Sequence, residues 1–426
     1  MAMMRRTKRQ TVALVLALAS GSLALADGPS VPRILLDRQL RARAVQLRSV
    51  DRDTITYLDE KGLVRSERTS EFAAILEAPG AGSAQPSKIV PSESHDADAE
   101  AEAGNEVQPP AAPPAPKPQQ APAIALIIDL VDRQRLIGAL VPGASSADSI
   151  TIRHAIFGDV RLAIDQVRGI RPKGAEAPGD RGEEATGDVV VLNNGDRISG
   201  VIESIAGTLK LTGKGGTREI PMERVQRIAL ANPAQPAQGL MAWLGDGSIV
   251  RCEELRTTRL GDVELRTTLG SEAAPIPLED IAAIAFHAES LAALAELDPP
   301  KIEPAPGRRW SPGPRLLSRE RVPLDLAEIE LRGPAAATWS IPPKASRFSA
   351  RIDLPREAWT WGNASVRVLA DGRELAACAL SGESPSCSVS VAIDRAEHLS
   401  IVIDSGEFGP VENRIVLRAA MLLVSP

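Results

Sequence analysis

A block of about 45 residues recurs in this chain with one inner order: an apolar strand, an Asp/Asn/Gly turn, two more strands and an Ile-rich close. Internal repetition of this kind decides an architecture before any single residue does. Residues 188–231 read DVVVLNNGDRISGVIESIAGTLKLTGKGGTREIPMERVQRIALA, and residues 238–286 read QGLMAWLGDGSIVRCEELRTTRLGDVELRTTLGSEAAPIPLEDIAAIAF. Two earlier copies follow the same order, from RILLDRQLRARAVQLRSVDRDTITYLDEKG to SEFAAIL and from LIIDLVDRQRLIGALV through DSITIRHAIFGDVRLAIDQVRGI. An Asp or Asn opens the first turn of each: Asp37, Asp132, Asn194 and Asp246. Each closes on an apolar-x-x-Ile step, Phe72/Ile75, Val167/Ile170, Val225/Ile228 and Ile281/Ile284. Period-2 alternation such as Thr208-Leu209-Lys210-Leu211-Thr212 is the mark of half-buried strands. Every copy is therefore expected to be a small, strongly bent antiparallel sheet of four or five strands. Too small to bury much core alone, the copies should stack or pair and cover one another's edges.

The segments between copies set the domain map. Residues 1–26 combine Arg5, Arg6, Lys8 and Arg9 with an apolar run from Val12 to Ala19 and then Ala24-Leu25-Ala26, the pattern of a cleaved signal peptide. The run is too short for a comfortable membrane span and no later stretch reaches spanning length, so the expectation is an exported protein, periplasmic or extracellular, with no membrane span. The map then reads β repeat 1 over 27–77, a disordered Pro/Ala/acidic linker over 78–122, β repeat 2 over 123–173, β repeat 3 over 186–232 and β repeat 4 over 237–288. A second linker is expected over 289–316, with a short helix at Ser290 to Leu297, before a last domain over 317–426. The fold class expected is all-β: tandem small bent-sheet or barrel repeats followed by an antiparallel β-sandwich.

Loss of the leader would lower Lys+Arg from 49 to 45 against 55 Asp+Glu, a net charge of about −10. Such a surface repels phosphate backbones, and no basic cluster interleaved with aromatics offsets it, so nucleic acid is not an expected partner. The repeats resemble the Sm-like small β-barrels in one respect, a Gly-Asp type turn at Asn194-Gly195-Asp196 ahead of a strand carrying Gly200. RNA binding, common among cytoplasmic Sm-like proteins, is not carried over, because export and acidity oppose it.

From 317 onward the texture is regular strand and turn, with Asp371-Gly372 and Ser405-Gly406 as turn signals, the spacing of an antiparallel sandwich. Ser340 with Phe348-Ser349-Ala350, then Val366-Arg367-Val368-Leu369-Ala370-Asp371-Gly372-Arg373-Glu374-Leu375, then Leu399 to Gly406 follow the order of pieces in the NPCBM-like carbohydrate-binding modules, which this region resembles over about 110 residues. The resemblance implies a galactose-binding-like sandwich. The chain departs from the pattern where Ala335 to Thr338 replace a His, and where Glu412, Asn413 and Val416 replace an Asp-His pair and a Trp.

A sugar site needs flat aromatic faces and polar partners for hydroxyls. Trp310, Trp339, Trp359 and Trp361 all fall in or beside the last domain. The candidate carbohydrate-binding residues are Trp339, Trp359, Trp361 and Asn363, with Trp359 and Trp361 on one side of an extended segment. The alternative is that these are core tryptophans. Asp404, Glu407 and Glu412 are either an oxygen-lined cation site or solvated loop acids, and the second reading is taken, so no metal is expected. His95, His154, His287 and His398 have no metal-pair spacing. No nucleophile elbow, zinc-protease or phosphate-loop motif occurs, so neither catalytic residues nor a cofactor are expected. Cys378 and Cys387 flank a strong turn, and a disulfide across that hairpin competes with two buried thiols. Cys252 reads as a small core residue.

The reading reached is an exported, non-catalytic binding protein recognising a glycan or cell-envelope component, with possible protein partners through its repeats. The competing reading is a structural or interaction scaffold without sugar binding.

Overall fold

The computed structural model describes residues 30–78, 125–141, 143–146, 148–175, 187–258, 261–270, 274–317, 322–406, 409 and 412–425. The expected leader, the 78–122 linker beyond Ala78 with its His95, and Glu407 lie outside these residues. Among them the only helical elements are three-residue 3-10 turns, and the rest of the regular structure is antiparallel strand. The chain is all-β as expected, and none of its sheets closes into a barrel.

Each repeat contributes five strands. Repeat 1 holds β1 (Val31–Asp37), β2 (Ala42–Val50), β3 (Thr54–Leu58), β4 (Val64–Arg68) and β5 (Phe72–Glu77). Repeat 2 holds β6 (Ala125–Leu130), β7 (Arg135–Leu140), β8 (Ser149–His154), β9 (Gly158–Ala163) and β10 (Val167–Pro172). Repeat 3 holds β11 (Asp188–Leu192), β12 (Arg197–Ile205), β13 (Thr208–Gly213), β14 (Gly216–Pro221) and β15 (Val225–Ala229). Repeat 4 holds β16 (Leu240–Leu244), β17 (Ile249–Thr257), β18 (Val263–Thr267), β19 (Ala274–Ile276) and β20 (Ile281–Ala285). In every copy the first four strands meander and the fifth returns beside the first.

The recurring residues have recurring physical causes. The Asp or Asn of each first turn accepts the backbone N–H two residues on: Gln39 to Asp37 at 2.8 Å, Gln134 to Asp132 at 3.4 Å, Asp196 to Asn194 at 3.1 Å and Ser248 to Asp246 at 2.7 Å. This side-chain closure is why those residue types hold that position. The second strand of repeats 1, 3 and 4 carries a bulge, between Leu47 and Ser49, Ile202 and Ser204, and Cys252 and Glu254, which bends the sheet. Repeat 3 also needs a glycine at that strand: a Cβ at Gly200 would stand 2.5 Å from the Thr212 carbonyl oxygen.

The closing apolar-x-x-Ile step joins one repeat to another. A 3-10 turn leads into the last strand of each copy, and the step residues are buried, for example Phe72 at 1% and Ile284 at 1% exposure. Ile284 lies opposite Ile75 and Ile170 opposite Ile228, so repeat 1 pairs with repeat 4 and repeat 2 with repeat 3. The two pairs meet where β17 touches β7, and all four copies share one hydrophobic core.

The remaining strands are β21 (Leu291–Ala293), β22 (Lys301–Pro304), β23 (Arg315–Leu316), β24 (Ile329–Arg332), β25 (Ala335–Ser340), β26 (Ala345–Asp353), β27 (Asn363–Ala370), β28 (Arg373–Ser381), β29 (Ser386–Ala392), β30 (His398–Ser405) and β31 (Arg414–Val424). They form a sandwich of two sheets, β23-β24-β31-β26-β29 with β21 on β31, and β22-β25-β30-β27-β28. Two sequence expectations are corrected here. The 289–316 linker is partly sheet, since β21, β22 and β23 each pair into the sandwich. The helix expected at Ser290 to Leu297 is replaced by β21 between two 3-10 turns. Edge pairing on β31 and burial of Leu294, at 0% exposure, outweigh the helix propensity of an Ala/Leu run.

The sandwich docks on the repeats. Leu36, Leu40, Met241, Trp243, Leu324 and Met421 belong to one buried cluster that crosses the boundary. Leu40 sits in the left-handed region at φ 53° and is 1% exposed, and its carbonyl accepts the Ser349 hydroxyl at 3.2 Å.

Candidate functional site

One end of the sandwich gathers the turn at Gly333, the segment from Leu354 to Asn363, the connection from Ser381 to Ser386 and the start of β31. The register brings them together: Asn363 lies opposite Ser381, Asp353 opposite both Ser386 and Val416, and Arg332 opposite Arg414.

The four candidate sugar-binding residues divide. Trp339 is not available to a ligand: alternate residues of β25, Ala335, Ala337 and Trp339, face the sandwich core, and Trp339 is 2% exposed. Trp359 and Trp361 are 41% and 64% exposed, but they do not sit on a strand. A 3-10 turn at Arg356–Ala358 runs into a turn at Trp359 to Trp361, because Pro355 starts the turn and Gly362 packs its Cα against the Ala358 carbonyl, where no side chain fits. Trp359 is held from both sides: its Nε1–H donates to the Leu354 carbonyl at 2.9 Å, and the Arg356 guanidinium stands 5.8 Å from its ring centre. Asn363 opens β27, half-buried, packed against Gly406.

Beside this end lies a cavity of about 380 Å³ lined by Arg332, Gly333, Glu412, Asn413 and Arg414. Asn413 is 3% exposed, and neither amide atom of its side chain has a protein partner. A buried polar group left unpaired costs about 1–3 kcal/mol, so the amide is a standing expense at this site. Only the tertiary fold brings these residues together, and no sequence spacing relates Arg332 to Asn413.

The disulfide forms between Cys378 and Cys387, with Cα atoms 6.3 Å apart. The expected hairpin does not: β28 and β29 are the outermost strands of opposite sheets, so the bridge ties one sheet to the other. Cys252 is buried as expected, and burial pushes its thiol up to about 12.

The acids and histidines resolve into structural roles. Asp404 pairs with Arg367 at 2.8 Å and Glu412 with Arg414 at 3.0 Å, and no group of three or more metal-ligating side chains occurs among the described residues. His287 and His398 are exposed near Glu289 and Asp371. His154 is 1% exposed and forms a polar cluster with Ser248 and Asp246 where repeats 2 and 4 meet. Its Nδ1 accepts the backbone N–H of Ile156 at 3.0 Å, so Nε2 carries the proton, toward Ser248 Oγ at 2.9 Å and Asp246 Oδ2 at 3.3 Å. A nucleophilic relay needs the acid on one ring nitrogen and the serine on the other, and here both share Nε2.

No protein-family model and no curated protein matches the chain. Among solved structures it is similar to the CBM51 module of Clostridium perfringens GH95 in complex with methyl-galactose, at 13% identity over 31% of this chain and 99% of that one, with a TM-score of 0.26. It is similar to the tandem CBM51 modules of a family 98 glycoside hydrolase from Streptococcus pneumoniae, at 9% identity, 71% and 88% coverage and a TM-score of 0.26. It is also similar to the CBM51-2 and INT domains of Clostridium perfringens ZmpB, at 10% identity and a TM-score of 0.26, covering 51% of this chain and 43% of that one.

Proposed function

We propose that this chain is an exported, non-catalytic protein that recognises a glycan or cell-envelope component through the end of its C-terminal sandwich. The observation that supports this reading is the pair Trp359 and Trp361, 41% and 64% exposed on one short turn in a chain otherwise poor in aromatics. A large ring kept in water is uncommon unless it has a partner, and an indole face suits the CH surface of a pyranose. Asn363 and the hydroxyls of Ser381 and Ser384 stand near enough in sequence and register to serve sugar hydroxyls. The repeats act as a stiff support.

The test is a glycan array probed with the full mature protein and with Trp361→Ala. The expected outcome is saturable binding by the parent, weakened by about 1–3 kcal/mol in the variant, with an unchanged melting temperature because the ring is not packed. No saturable binding by the parent rejects the reading. The scaffold alternative has one observation of its own, the buried cluster that fastens the sandwich to repeats 1 and 4.

A further inference from the structure

The segment after β22 carries the second exposed aromatic feature of the sandwich. Ala305 N–H donates to the Pro334 carbonyl at 3.3 Å and the Ser311 hydroxyl to the Arg332 carbonyl at 3.5 Å, so residues 305–311 lie along the turn that holds Arg332 and Gly333. Between those anchors Arg308 and Arg309 are exposed and Trp310 is 75% exposed. The same turn lines the cavity of about 380 Å³ whose lining includes Asn413, the residue with the unpartnered amide.

The charges at this place are only partly matched. Arg332 is matched by Glu330 at 2.9 Å and Arg414 by Glu412 at 3.0 Å, with the two arginine side chains 49% and 26% exposed. Arg308 and Arg309 add positive charge beyond those pairs, in a chain whose net charge is −6. A planar guanidinium presents a fork of donors that fits a carboxylate, and an indole beside it offers an apolar face to a sugar ring.

We infer that Trp310, Arg308, Arg309 and the Arg332–Arg414 cavity form a binding site for a carboxylate-bearing saccharide. The site is distinct from the Trp359/Trp361 turn and does not depend on that turn binding sugar. The acidic sugar's ring lies on Trp310, and its carboxylate faces the two strap arginines. Arg332 and Arg414 at the cavity meet the next residue of the saccharide.

The test titrates the full mature protein with oligogalacturonide at low salt, against its methyl-esterified form and against polyglutamate, a polyanion with no sugar ring. The expected result is saturable binding to oligogalacturonide that weakens as salt rises, with esterified and polyglutamate controls binding far less. Trp310→Ala and Arg309→Gln should each weaken it roughly tenfold or more at an unchanged melting temperature, since both side chains lie in solvent. The inference is overturned if the parent does not bind oligogalacturonide, if polyglutamate or the ester binds equally, or if both variants bind as the parent does. Neutral glycan binding that Trp361→Ala removes, in a parent that does not bind oligogalacturonide, would retain the proposed function and reject only this site.

Discussion

Asp325 shows how far one side chain can depart from its ordinary chemistry. It lies in the segment that docks against repeat 4, in a left-handed backbone conformation at φ 55°. Burial, with Glu296 adding to it, pushes its carboxyl up to about 6 against the opposing pull of Arg133 and Arg135. In the unfolded chain the same group titrates near ~3.9, so the folded protein holds the proton more tightly. The cost of the buried charge is fully present above about pH 6 and is relieved as pH falls toward 4. Asp325→Asn, which tolerates the left-handed backbone, should stabilise the protein by about 1–3 kcal/mol at pH 7.5. Melting curves against pH check this, and the gain should vanish by about pH 4.

The bridge between β28 and β29 is a property of two elements rather than of a turn. By joining the outer strands of opposite sheets, Cys378–Cys387 closes the sandwich along one flank. Non-reducing peptide mapping of protein made in an oxidising compartment should recover the two cysteines linked. For so short a closed loop, reduction should cost about 2–3 kcal/mol and lower the melting temperature, a change that Cys378→Ser/Cys387→Ser should reproduce. An unchanged melting temperature would mean that the sheets hold their packing without the bridge. The turn signal at Ser381-Gly382-Glu383-Ser384-Pro385 was legible, but its partner strands were not. A turn between two alternating runs reads the same whether it closes a hairpin or carries the chain across to the facing sheet.

At the scale of the whole molecule, the first turn of repeat 1 reaches the sandwich. Leu40 is buried between them, and the hydroxyls of Ser349 and Ser390 donate to the Leu40 and Gln39 carbonyls. Leu40→Ala should weaken this junction by about 2–5 kcal/mol, and calorimetry should then resolve two transitions, sandwich and repeats. A single transition lowered as a whole would place the coupling elsewhere in the cluster.

Much of this was written in the chain itself. The strand class, the Asp or Asn at each first turn and the apolar-x-x-Ile closes follow from local periodicity and turn chemistry, which depend on neighbours a few residues away. Which Ile meets which did not follow: Ile75 faces Ile284 across nearly half the chain, while Ile170 faces Ile228. Any two closing strands of the four would have served the pattern equally. The candidate site divides in the same way. Four tryptophans in or beside one domain announced a site, yet alternation turns Trp339 inward while a Pro-Gly framed turn leaves Trp359 and Trp361 in solvent. Exposure depends on what packs above a residue, and that is decided by contacts between segments far apart in sequence. Only the folded sandwich brings Arg332, Asn413 and Trp310 into one neighbourhood.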